Sequence, residues 1–124
     1  MIVGLGNDLI DIRRIESTLD KFGDRFLSRV FTDVERAKSD KRANRAASYA
    51  KRFAAKEAVV KAMGTGFVEG LFFGDIKVFN NGAGKPYVEL SAKAQAMLPQ
   101  QMNVFLSLSD EKTYALAFAV LEQK

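Results

Sequence analysis

A chain of 124 residues, 48% apolar and 27% charged, has the composition of one globular domain, residues 1–124, and excludes a disordered tail or a fibre. It has no Cys and no His, which excludes disulfides, thiol catalysis, His-dependent triads and the usual zinc sites; a bound metal would be a hard ion on oxygen ligands, Mg²⁺ above all. The net charge is a mild +4, and with no run of about 18 uncharged apolar residues and no signal-like N-terminus, neither a membrane span nor secretion is predicted.

Ile2 to Ile10 reads as a strand whose strongly polar members are Asn7 and Asp8. Ile12, Ile15, Leu19 and Phe22 recur at helical spacing, and Gly23 stops that helix. Asp24 is expected to cap a second short helix carrying Phe26, Leu27 and Val30. Thr32 and Glu35 have capping-box spacing and start a third. Lys38 to Ala43 is polar and reads as a loop. A long helix without Gly or Pro runs from about Asn44 to Met63, with Gly64 as its stop. Its Ala47, Ala50, Ala54 and Ala58 make a small-residue seam on which something can pack closely. Gly64, Gly66, Gly70 and Gly74 then punctuate a Phe-rich loop that is expected to move. Ile76, Val78, Tyr87 and Val88 belong to two strands joined through an Asn80-Asn81-Gly82 turn. Ser91 to Leu98 is a short helix ended by Pro99. Val104, Leu106 and Leu108 alternate as in a strand, and a turn at Asp110 to Thr113 returns into a last strand, Tyr114 to Leu121. This order predicts an α+β fold, an antiparallel sheet with a long helix packed on it.

The charge is not spread evenly. From Arg36 to Lys61 there are nine basic residues and two acids, Asp40 and Glu57, so this segment carries +7 and the remainder of the chain −3. A concentrated positive field attracts polyanions: nucleic acid, a phosphorylated small molecule or an acidic protein. Asp8 is an acid inside an apolar strand, costly unless paired or bound to a cation. Ala50, Phe53, Glu57 and Lys61 share one helical stripe, so the Glu57 carboxylate projects beside apolar side chains. Together, Asp8 and Glu57 suit a Mg²⁺ that also takes phosphate oxygens and water; the plainer alternatives are a strand-end Asp8 and a Glu57–Lys61 surface pair. Arg52 and Lys56, four apart, form a two-cation step able to grip a pyrophosphate, with Lys61 a turn beyond Glu57. Gly64-Thr65-Gly66 lets backbone N–H groups approach a phosphate, but it is too short to be a nucleotide fingerprint.

In sequence order, Gly6-Asn7-Asp8-Leu9, Phe31-Thr32, Glu35, Arg52-Phe53-Ala54-Ala55-Lys56-Glu57-Ala58, Lys61-Ala62 and Gly64-Thr65-Gly66-Phe67 are followed by Gly84-Lys85-Pro86 and Ser107-Leu108-Ser109. This set closely resembles the holo-acyl-carrier-protein synthase type of 4′-phosphopantetheinyl transferase, over nearly the whole chain. The resemblance implies transfer of the 4′-phosphopantetheine arm of coenzyme A to a serine of an apo acyl carrier protein, leaving adenosine 3′,5′-bisphosphate. It implies Asp8 and Glu57 as Mg²⁺ ligands and Lys61 as pyrophosphate contact. It extends coenzyme A contacts to Arg52, Lys56, Gly64, Gly66, Lys85, Pro86 and Ser109. Glu57, or a metal-bound water it holds, is the expected base for the serine. A cytoplasmic homotrimer of fatty-acid biosynthesis, with active sites between subunits, is implied as well, in keeping with the Ala seam. The pattern departs at Asp110, where the family often has His; an acid there is expected to repel a phosphate. Some of Arg13, Arg14, Lys21, Arg25 and Arg29 are expected to dock the acidic carrier protein. A small nucleic-acid-binding domain is the rival reading of the basic segment, but no binding motif accompanies it and the cations share their helix with Glu57. An inactive module that docks an acidic protein is the second rival.

Overall fold

Residues 1–68 and 70–124 are described by a computed structural model; Glu69, in the Phe-rich loop, lies outside the described residues. Strand β1 (Ile2–Asp11) leads into α1 (Ile12–Phe22), with Asp11 accepting from the Arg13 backbone N–H as N-cap. Helix α2 (Asp24–Val30) follows Gly23, which takes a positive φ of 50° at the junction. Asp24 is the first helical residue and not its cap. Its carboxylate instead pairs with Arg36 at 2.7 Å. Thr32 and Glu35 form the expected capping box of α3 (Asp33–Asp40), which absorbs half of the stretch expected as a loop. Asn44 caps the long helix α4 (Arg45–Met63), and Gly64 closes it in the left-handed conformation at φ 77°.

The loop after α4 is held by aromatic stacking. Phe67 lies 4.1 Å from Phe73, and Phe73 lies 5.5 Å from Phe53 on α4, centroid to centroid. A 3-10 turn, Phe73–Asp75, enters the antiparallel hairpin β2 (Ile76–Asn80) and β3 (Pro86–Leu90). The short helix α5 (Ala92–Ala96) precedes β4 (Met102–Glu111) and β5 (Tyr114–Gln123). The three long strands form one antiparallel sheet in the order β1-β5-β4, with β1 and β4 at opposite edges. The α+β architecture is as expected.

Why α4 lies so close to this sheet is written in small residues. Ala115, Ala117 and Ala119 on β5 meet Ala50, Ala54 and Ala58 on α4, all fully buried. The seam is thus filled by the chain's own sheet and is not available to another subunit. On β1, a Cβ at Gly6 would sit 2.0 Å from the Ala58 carbonyl oxygen and one at Gly4 2.2 Å from that of Ala62. The backbone can approach the helix only without side chains there. We expect Gly6→Ala to destabilise the fold by about 3 kcal/mol, the upper end for overpacking, as read from urea unfolding. The other face of the sheet is uncovered: Val3, Leu5, Leu9, Phe105, Leu116 and Phe118 are each more than 40% exposed.

Candidate active site

Close packing of β1 on α4 carries Asp8 to the C-terminal half of the helix. The Lys61 ammonium donates to Asp8 Oδ1 and to the Asn7 carbonyl, both at 3.0 Å. Lys61 therefore pairs across to the strand rather than with Glu57 on its own helix. The stripe runs from buried Ala50 through half-buried Phe53 and Glu57 to exposed Lys61. Burial, and secondly the nearby Asp8 charge, push the Glu57 carboxyl above its ordinary value of 4.5, with Lys61 opposing. A half-buried carboxylate with a raised pKa beside a second carboxylate and a lysine is what a general base or a cation ligand requires.

The other half of α4 is different. A cavity of about 300 Å³ lies between α4, the tip of β2 and β4, lined among others by Arg42, Lys51, Arg52, Asn80 and Asp110. Arg52 is 5% exposed; its guanidinium donates to Ser39 Oγ (3.1 Å), the Val78 carbonyl (2.8 Å) and Asn80 Oδ1 (2.8 Å). Three of its five N–H groups are thus engaged, leaving two for a ligand. Asp110 does not face the cavity as a free charge, because Lys51 pairs with it at 3.1 Å. That softens the repulsion expected of an acid at this position.

Lys56 is corrected outright. It is fully buried, and its ammonium binds Glu35 Oε1 (3.0 Å) and the carbonyls of Phe73 (3.0 Å) and Ile76 (2.7 Å). All three N–H groups are used, so none remains for a pyrophosphate. Arg52 and Lys56 do not form a surface step. Gly64 and Gly66, both with positive φ, lie exposed just past α4. Lys85 is exposed in the β2–β3 turn, Pro86 opens β3, and Ser109 is exposed on β4 beside Asp110. Arg42, Asn80 and the whole Glu35–Lys56 pair escaped sequence reasoning. Asn80 meets Arg52 and Glu35 meets Lys56 only through partners far off in sequence, contacts that no local pattern announces.

A family model described as the 4′-phosphopantetheinyl transferase superfamily matches residues 4–119. The chain belongs to this superfamily. A holo-[acyl-carrier-protein] synthase of Agrobacterium fabrum is 55% identical over 128 residues, spanning 98% of this chain and 96% of that one. The crystal structure of a holo-(acyl-carrier-protein) synthase from Bacillus anthracis in complex with CoA (3′,5′-ADP) has a TM-score of 0.84 and 40% identity, covering 100% of this chain and 99% of that one. The synthase structure from Neisseria meningitidis has a TM-score of 0.89 and 36% identity, covering 99% and 100%. No helix among the described residues of this superfamily member is long and apolar enough to cross a membrane.

Proposed function

We propose that this chain transfers the 4′-phosphopantetheine group of coenzyme A to a serine of an apo acyl carrier protein, in the cytoplasm, as a step of fatty-acid biosynthesis. The observation that carries the reading is the Asp8–Glu57–Lys61 cluster, set on the β1–α4 contact in a chain whose residues 4–119 match this family. The serine Oγ attacks the phosphorus that bears the pantetheine oxygen. The bond from that phosphorus to the bridging oxygen breaks, and adenosine 3′,5′-bisphosphate leaves. Glu57 takes the serine proton. Lys61, with its side chain 53% exposed, meets the pyrophosphate and offsets charge gathering on the leaving group.

Asp8 and Glu57 would hold Mg²⁺. Among the described residues no third His, Cys, Asp or Glu groups with these two carboxylates, and Mg²⁺ keeps water and phosphate oxygens in its remaining positions. When bound, Mg²⁺ supplies charge neutralisation at the phosphates. Arg52, Arg42 and Lys51 take the nucleotide phosphates in the cationic cavity, and Lys85, Pro86 and Ser109 are proposed as further coenzyme A contacts.

We also propose a homotrimer with shared sites, a reading that the placement of these two groups supports. At 100° per residue, Glu57 and Lys61 stand roughly 140–180° round α4 from the cavity-lining Ser48 and Arg52, and roughly 80–120° from Lys51. Asp8 is on edge strand β1 and Asp110 on the opposite edge, β4. The helix stands between the carboxylates and the cavity, so one coenzyme A meets the two across a boundary between copies. The uncovered apolar sheet face supports self-association.

A groove lined by Thr18, Phe22, Arg25, Phe26 and Arg29, with exposed Arg14 on the same helix pair, suits an acidic carrier protein. Arg13 contributes less, being paired with Asp11 at 2.6 Å. We expect Arg14→Glu to raise KM for the carrier on the order of tenfold, about 1.4 kcal/mol, with kcat little changed; an unchanged KM removes Arg14 from the interface.

The test of function is intact-mass measurement of an apo carrier protein after incubation with this chain, Mg²⁺ and coenzyme A. A gain of one phosphopantetheine, abolished by a chelator, is expected. No gain with any carrier refutes the assignment.

A further inference from the structure

The most heavily bonded polar group outside the reaction centre is the buried Lys56–Glu35 pair. Both side chains are inaccessible to solvent. Glu35 Oε1 accepts from the Thr32 backbone N–H (2.8 Å) as well as from Lys56, and Oε2 accepts from the Val78 backbone N–H (2.7 Å). Lys56 holds the carbonyls of Phe73 and Ile76. The pair therefore grips β2 at its entrance and again at its middle. The Val78 carbonyl and the Asn80 amide oxygen at the far end of that strand then hold the Arg52 guanidinium. A continuous line of hydrogen bonds runs from a buried charge pair, along one strand, to a cation in the cavity.

A fold that needed only stability here is better served by apolar side chains of the same volume, because desolvating two charges costs as much as their attraction returns. What a charge pair adds is fixed geometry for the backbone groups it binds. We propose that Lys56 and Glu35 are positioning residues for coenzyme A binding: through β2 they set the pose of the Arg52 guanidinium in the cationic cavity. The inference rests on that cavity taking the nucleotide phosphates. Neither residue touches the substrate.

Two variants break the line at different points. Glu35→Gln with Lys56→Met removes both charges at nearly constant volume, leaving the Phe73 and Ile76 carbonyls without their donor. Asn80→Ala, at a half-buried position, cuts the last link and leaves the pair intact. Steady-state rates are measured well below each variant's melting midpoint, so that only folded protein is compared. Each variant is expected to raise KM for coenzyme A about tenfold, with kcat lowered roughly threefold at most and KM for the carrier unchanged. A pair with a purely structural role shifts the melting midpoint and leaves KM alone. Arg42→Ala, at the cavity rim, is the control and is expected to raise KM for coenzyme A. Unchanged KM in both test variants, with Arg42→Ala raising it, overturns the positioning role. An unchanged KM in Arg42→Ala overturns the reading of the cavity, and the positioning role with it.

Discussion

Glu57→Gln is expected to lower turnover by about 10²–10⁴-fold, the usual worth of a positioned general base, and at the same time to stabilise the fold. The two effects have one cause. Burial and Asp8 raise the Glu57 pKa above its ordinary 4.5. In the window above 4.5 the folded chain therefore holds a proton that the unfolded chain has released, and stability falls as pH rises through that window. Gln cannot ionise, so the variant escapes the loss. Its melting midpoint should exceed that of the native chain at neutral pH without added Mg²⁺, and match it in acid. Wild-type turnover in Glu57→Gln, or an equal melting midpoint at neutral pH, contradicts the assignment. The cost in stability is what holding an unpaired half-buried carboxylate beside a second one entails.

Lys56→Met should destabilise the protein by about 3–5 kcal/mol, because it strands the Glu35 carboxylate in a water-free interior. Against a typical 5–15 kcal/mol of total stability, that is a large share. For a domain of this size the melting midpoint should fall by about 10 °C or more. The double variant Glu35→Gln, Lys56→Met should recover much of this loss. A loss in Lys56→Met of about 1 kcal/mol or less, as for an exposed ion pair, would mean that solvent reaches the pair.

How much of this was legible in the chain depends on the range of the signals. Helix ends were readable because caps are local: Thr32 and Glu35, Asn44 and Gly64 act within a turn or two. Asp24 misled because an acid at a helix start can serve as cap or as first helical residue, and Arg36, twelve residues on, drew its side chain outward. Asp8, Glu57 and Lys61 stood out as charges among apolar neighbours, a contrast visible without a structure. Lys56 carried the same charge in the same helix, yet its partners are Glu35, Phe73 and Ile76, at separations no periodicity reports. The Ala seam was visible, but what covers it was not. Only Gly4 and Gly6 together with the alternating alanines of β5 show that it belongs to the chain's own sheet. Glu35 was legible through one oxygen, as the capping-box acid, and hidden through the other, which reaches Val78.

We propose that the carboxylate cluster and the cationic cavity, on opposite sides of α4, act together only across two copies of the chain. Mixing two disabled variants tests it. Glu57→Gln retains the cavity, and the Arg42→Ala, Lys51→Ala double variant retains the carboxylates. Each alone should transfer phosphopantetheine poorly at low coenzyme A. Co-expressed in equal amounts, they should regain roughly a quarter of native activity, since random assortment in a closed cyclic oligomer gives that share of sites with both halves intact. If each site lies within one chain, no molecule in the mixture has both halves. The activity then stays at the mean of the two variants, and the shared-site account is wrong.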